Sequence, residues 1–543
     1  MEFTEQQRQI IEYGGNAVII AMPGSGKTAV VSEKVRQYVC QMKAYEGVVA
    51  ISYTNKASRE LRDRCTRNGL DTKNSFFGTI DTFAIAEIVV PFARDLLGAA
   101  SVEVTVRKAF SLEEEMKGAF NWVNRSLEVK DINDERLGQL KALFTNDGIL
   151  LLETVGILAN MVFDASVACR NYLKARYKYI FIDEYQDAGE AQHQMFLNIV
   201  ELGIVGFAVG DVNQSIYAFS GKSSKYLSEL LNAEAFHGFP LTINHRCHPS
   251  IINYSNRFLD PNAPLLPTDK IHVFYKNVPG DENEVAAWIE KCVPRIVEVF
   301  TPDSLSSIAV LTRSNITAEL INQYLNISRK LSVSTNLDES FHVWSQIFSK
   351  LLFYTFSRNQ QLIDVVNEFT SFDSLRYRER KTLRELQSKI RSSFVDQIDV
   401  QAVIDSFVTI AVTVAPNSES VESVDLLRET LENSLLTHSY KPATPDEVNI
   451  LTIHKSKGLE FDVVFHLDLH EWILPAERIE SGKRFYPDWE QDLNTHYVGL
   501  TRAKTACILV TSTFRTNSYR QRKTGSDSEF LNRPELRELR VSK

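Results

Sequence analysis

The stretch "AMPGSGKT", Ala21 to Thr28, follows the apolar run "NAVII" and precedes "AVVSEKVRQYVCQ", which reads as a helix. A glycine-rich turn between strand and helix aims main-chain amides and a helix N-terminus at phosphate oxygens. Ala21, Met22, Pro23, Gly24, Ser25, Gly26, Lys27 and Thr28 therefore form the expected phosphate-binding set, with Ala21 in the place of the usual first glycine. Lys27 would reach the β/γ-phosphates, and the Thr28 hydroxyl suits Mg2+. A second element, "YIFIDEYQD", is an apolar strand ending in Asp183 and Glu184. A parallel sheet delivers side chains at such strand ends to a ligand crevice. Asp183 is expected to hold Mg2+, and Glu184 to orient and deprotonate the water that attacks the γ-phosphate. An acidic pair at a strand end often does no more than cap the next helix. Following a phosphate loop, the pair reads as hydrolytic machinery.

Positioning these groups requires strands buried on both faces. Short apolar runs alternate with helical stretches in two regions: "VVAIS", "YIFID" and "VGFAVG" in the first, "SIAVLT", "VNILTI" and "DVVFHL" in the second. Buried parallel strands have this form. Two segments lack the alternation, Ser101 to about Lys174 and about Leu331 to Lys441, and read as mainly helical insertions. "VAPNSES" and "KPATPDE" break helix and suit surface loops near a boundary.

The chain has 543 residues, which allows several domains when a domain takes about 100 to 200. Apolar residues make up 44% and charged residues 24%, and no apolar run is long enough to span a bilayer. The start, "MEFTEQQRQI", lacks the pattern of a secretory signal, so a cytoplasmic protein is expected. The six cysteines include no CxxC pair, which fits a reduced compartment and argues against structural zinc. "NHRCHP" (His245, Cys247, His248) likewise lacks a usable metal-ligand spacing. A net charge of -9 excludes a uniformly basic coat but not a local basic groove for nucleic acid.

Read in order, "FTEQQ", "AMPGSGKT", "ISYTNKAS", "GTIDTF", "IDEYQD", "VGDVNQSIY", "INHRC", "VLTRSN", "LTIHKSKGLEF" and "HYVGLTRAK" resemble the serial motifs of UvrD/Rep-type superfamily 1 helicases, from Phe3 to Lys504. The resemblance implies an α/β fold of two RecA-like P-loop NTPase domains, parallel sheets flanked by helices, with an ATP cleft between them. The first would comprise residues 1–100 and 175–238 with a helical insertion at 101–174, the second 239–330 and 442–543 with an insertion at 331–441. Within the group, the compact length, "GTIDTFAIAEIVVPFARDLLG" and "HYVGLTRAK" are similar to the helicase-like subunits of Gabija anti-phage systems.

By that resemblance Gln7 reads the adenine edge, Gln214, Arg246 and Arg502 contact the γ-phosphate, and Glu460 takes the ribose hydroxyl. Ala29 and His245 occupy the positions where many relatives sandwich the base between Arg and Tyr, so base preference stays open here. Tyr53, Tyr217 and Phe219 fall where the family stacks aromatic rings on successive bases, a sequence-tolerant contact. Thr54, Asn55, Thr79, Thr452 and His454 fall where it touches the DNA backbone. The implied activity is an ATP- and Mg2+-dependent DNA helicase or translocase moving 3'→5' on DNA that is single-stranded or has single-stranded ends. About 30 residues follow the last expected strand, too few for an appended nuclease, so cutting is expected from a separately encoded OLD-family (TOPRIM) partner. A general repair helicase, and a non-unwinding ATPase that regulates a nuclease, are the alternatives.

Overall fold

The computed structural model describes residues 3–542, apart from 53–54, 103, 110–111, 113, 125–126, 217–223, 333–334, 341, 358–359, 368, 371, 373–374, 395–397, 417, 481–482 and 518. The chain divides into two compact units: Met1–Ile243 with Ser340–Tyr354 and Asn359–Asp425, and Asn244–Glu339 with Thr355–Arg358 and Leu426–Lys543.

The first unit is built on β1 (Ala17–Ala21), β2 (Gly47–Ile51) and β3 (Phe76–Gly78), followed by a small parallel pair, β4 (Thr105–Arg107) and β5 (Ile149–Leu151), and then by β6 (Tyr177–Ile182), β7 (Val205–Gly210) and β8 (His237–Leu241). Among the described residues the main sheet has six strands, all parallel, in the order β3-β2-β6-β7-β1-β8. Both faces are covered, which is why the strands read as unbroken apolar runs. The alternation of side chains across each strand assigns Val18, Val49, Ile180, Ile182 and Ala208 to one core and Ala17, Ile19, Val48, Phe181 and Val209 to the other.

The second core is closed by α1 (Glu5–Glu12), α2 (Lys27–Val39) and α3 (Asn55–Thr66), through Ile10, Ile11, Val30, Val35 and Leu61. The first is closed by the helix Glu190–Glu201 and by the insertion, whose Leu140, Phe144, Val155, Leu158 and Val162 belong to one continuous core with the sheet. The insertion is thus welded into the unit, and its β4–β5 pair supplements the expected helices. Among the described residues no single helix is long and apolar enough to cross a membrane; the bent pair Leu152–Ala165 and Val167–Arg176 supplies Cys169 and Leu173 to the same core.

The second unit continues with β9 (Val273–Val278), β10 (Ile308–Thr312), β11 (Arg329–Ser332), β12 (Val448–Thr452), β13 (Phe461–His466), the hairpin β14 (Arg478–Glu480) and β15 (Lys483–Phe485), β16 (Ala503–Ser512), a second hairpin β17 (Phe514–Thr516) and β18 (Arg522–Thr524), and β19 (Val541–Ser542). Its described main sheet is parallel and seven-stranded, in the order β11-β12-β10-β13-β16-β9-β19. The helical segment between β11 and β12 interrupts this sheet in sequence, yet its residues 340–354 and 359–425 group with the first unit.

Candidate functional site

The phosphate loop leaves β1 and enters α2. Gly24 (φ 69°) and Gly26 (φ 82°) both take left-handed backbone, which lets the loop curl back so that its amides converge. The left-handed φ is what favours glycine at residue 26, and a Cβ there would lie 2.8 Å from Gln7 Nε2 and displace that side chain. The loop is tied at its start, where Met22 N donates to Leu241 O of β8 at 2.9 Å. It is tied again where Gln7 Nε2 donates to Ser25 O at 3.0 Å. Gln7 also closes the N-terminal capping box of α1 with Thr4.

Strand order brings three carboxylates to one ammonium. β7 lies between β1 and β6, so Asp211 after β7 joins Asp183 and Glu184 after β6 beside Lys27, the first residue of α2, which follows β1 through the phosphate loop. Lys27 Nζ donates to Glu184 Oε1 at 3.2 Å, and Thr28 Oγ1 to Asp183 Oδ2 at 3.4 Å. Burial alone would lower the Lys27 pKa, but attraction by Glu184, Asp183 and Asp211 outweighs it and raises it. Burial, then repulsion by Glu184, lifts the Asp183 carboxyl to about 6, with Lys27 opposing. Burial also raises Asp211.

Three carboxylates around one lysine leave an excess of negative charge that a divalent cation would neutralise, and Thr28 and Asp183 supply the hard oxygen donors that Mg2+ prefers. Among the described residues no cluster of three or more His, Cys, Asp or Glu could hold a metal ion. When bound there, Mg2+ would neutralise charge on the phosphate oxygens.

Glu184 sits at φ 58°, uncommon for a residue with a side chain, and the surroundings over-determine it. Its N–H donates to Asp183 Oδ1 at 2.9 Å, and Gln186 Nε2 donates to its Oε2 at 2.5 Å. The fully buried Gln186 also accepts from Asp211 N at 3.0 Å, linking the ends of β6 and β7. Gln214 is buried, and its Nε2 donates to Asp211 Oδ2 at 2.7 Å, so it belongs to the same constellation. Thr79, at the same sheet edge after β3, caps the helix Ile80–Phe83.

In the second unit the sequence-derived residues fall on opposite sheet edges. Glu460 precedes β13 and Arg502 precedes β16, whose Phe461 and Ala503 are in register. The loop carrying Arg246 joins them: Arg246 Nη2 lies 2.5 Å from Glu460 Oε1, and Cys247 Sγ packs 3.8 Å from Thr501 O. Arg502 is 2% exposed and donates to Val498 O and Leu459 O, while His245 is exposed. Thr452 ends β12 on the other edge, beside Thr312, and His454 follows it. Tyr53, Thr54, Tyr217, Phe219 and the side chain of Asn55 lie outside the described residues.

Residues 6–220 match the family described as an AAA domain, and residues 360–513 match the UvrD-like helicase C-terminal domain. The chain belongs to the UvrD-like helicases. It is 25% identical to the Gabija protein GajB of Bacillus cereus (strain VD045), over 94% of this chain and 96% of that one. It is 23% identical to a probable DNA helicase II homolog of Mycoplasma genitalium, over 98% and 88% of the two chains. With the ATP-dependent DNA helicase PcrA of Bacillus subtilis (strain 168) it shares 22%, over 94% and 82%. The two RecA-like domains expected from the motifs agree with the two parallel sheets, and the chain is an ATP-dependent DNA helicase of superfamily 1.

Two polar residues of the helicase's first unit escaped the sequence reading. Asp211 ends the apolar run of β7 much as Asp183 ends β6, and that parallel was the available signal. Gln186 had none, since its partners are set by strand order.

The raised Asp183 carboxyl has a consequence for pH. A carboxyl with a folded pKa of about 6, against 3.8 unperturbed, gains a proton as pH falls through about 6. The charged form is what a cation needs, so kcat/KM for MgATP is expected to fall about tenfold per pH unit below about 6. A pH–rate profile flat down to about pH 5 contradicts this assignment.

Proposed function

We propose that this helicase translocates 3'→5' on single-stranded DNA and serves as the helicase subunit of a Gabija-type defence complex with a separately encoded OLD-family TOPRIM nuclease. The observation that carries the reading is the near-complete mutual coverage with the Gabija protein GajB, 94% and 96% of the two chains. In this reading Lys27 and the loop amides hold the β/γ-phosphates, Thr28 and Asp183 hold Mg2+, and Glu184 activates water. Gln214, Arg246 and Arg502 balance charge developing on the γ-phosphoryl, a task suited to side chains aimed at the transition state. Gln7 contacts the base and Glu460 contacts the ribose, with Ala29 and His245 at the positions where many relatives hold the base between Arg and Tyr. Tyr53, Tyr217 and Phe219 stack on DNA bases, while Thr54, Asn55, Thr79, Thr452 and His454 follow the backbone.

The nuclease is assigned to the insertion at residues 101–174. Support comes from its shared core with the first sheet, which makes it a firm platform, and from its exposed charged stretch around Glu128, Lys130, Asp134 and Glu135. Co-expression with the neighbouring gene product, repeated with these charges reversed, tests the reading. A complex that co-purifies and is lost on charge reversal is expected. A complex that survives every reversal removes this segment as the docking site, and no complex at all favours a general repair helicase.

A further inference from the structure

Lys34 carries an ammonium group into the core of the first unit. It lies about two helical turns beyond Lys27 on α2, is 1% exposed, and is flanked in sequence by the core residues Val30, Val31, Val35 and Val39. Burying a charge among such neighbours is unfavourable unless its donors are satisfied. Here Nζ donates to Ile10 O at 2.8 Å, Ile11 O at 3.0 Å and Tyr13 O at 2.5 Å. Tyr38, on the same helix, donates its hydroxyl to Tyr13 O at 3.1 Å. Burial lowers the Lys34 pKa to about 8, and no carboxylate offsets it.

The accepting carbonyls are those at the C-terminal end of α1, where a helix leaves acceptors unpaired and carries the negative end of its dipole. α1 has no basic residue in its own last turn, so α2 supplies the cation. At its other end α1 holds the phosphate loop through Gln7 and Ser25 O. A helix of eight residues has little stability alone, so its placement depends on the packing of Ile10 and Ile11 and on tethers, of which these two act at its ends. Both lead to the same loop–α2 segment, one before Lys27 and one after it.

We propose that Lys34 is a positioning residue for nucleotide recognition: by capping the C-terminal carbonyls of α1 from α2, it fixes the helix that sets Gln7 against the phosphate loop. The inference rests on the reading of Gln7 as the base contact. Lys34 itself touches no substrate, and its effect travels through Gln7.

The test is steady-state hydrolysis of ATP and GTP by the full chain on single-stranded DNA, for the parent, Lys34→Met, Lys34→Arg and Gln7→Ala. Lys34→Met is expected to raise KM for ATP about tenfold with kcat within about twofold, and to reduce the preference for ATP over GTP as Gln7→Ala does. Lys34→Arg, which keeps charge and donors, is expected to restore most of the loss. An unchanged KM in Lys34→Met beside a raised KM in Gln7→Ala overturns the role of Lys34 alone. Unchanged KM values in both overturn the reading of Gln7 as well. If Lys34→Met does not fold, Lys34→Gln, which removes the charge and leaves at most two of the three donors, decides: a raised KM for ATP supports the inference and an unchanged one overturns it.

Discussion

Glu184→Gln is expected to bind ATP as well as the parent and to lose turnover by about 10²- to 10⁴-fold, the usual contribution of a positioned general base. The substitution keeps the shape of the side chain, and its single amide oxygen can still accept from Lys27 or from Gln186, though not from both. It removes only the capacity to take a proton from the attacking water. The left-handed backbone at residue 184 is held by its N–H bond to Asp183 Oδ1, which the substitution leaves in place, so the variant should fold like the parent. Stimulation of hydrolysis by single-stranded DNA should vanish in the variant, because a faster cycle still has to pass through the same blocked step. A nucleotide-binding titration alongside single-turnover hydrolysis separates lost binding from lost chemistry.

Lys27→Ala is expected to fail differently, losing nucleotide affinity together with about 10³-fold or more of turnover. In the structure Lys27 is the cation between Glu184, Asp183 and Asp211. Truncating it leaves those carboxylates to repel one another and to repel the triphosphate. The two variants therefore form a diagnostic pair, with Glu184→Gln retaining ATP on equilibrium binding and Lys27→Ala not. If Lys27→Ala bound ATP with parental affinity, the loop would not be the phosphate site.

The phosphate loop and the acidic strand end were legible in sequence because their chemistry depends on contiguous residues: two left-handed glycines, a lysine and a threonine in one loop, and a carboxylate pair after an apolar run. The alternation of apolar runs likewise foretold parallel strands covered on both faces. Strand order was not legible, and with it went Asp211 and Gln186, whose roles exist only because β7 lies between β1 and β6. Lys34 was hidden for a related reason. A lysine within a helical stretch reads as a solvated face, and only the packing of α1 on α2 turns it inward. The edges on which second-unit residues fall also required the fold, since Glu460 and Arg502 are far apart in sequence yet precede adjacent strands. Nor does local sequence show that the helices of residues 359–425 group with the first unit, because that depends on surfaces remote along the chain.

The central claim is that the constellation around Lys27 and Glu184 hydrolyses ATP in a DNA-dependent manner. Steady-state ATP turnover of the parent and of Glu184→Gln, each with and without single-stranded DNA, tests it most directly. The account predicts a parental rate that DNA raises and a variant rate that stays near background in both conditions while ATP binding persists. Turnover by Glu184→Gln at the parental rate, with the same response to DNA, would contradict it.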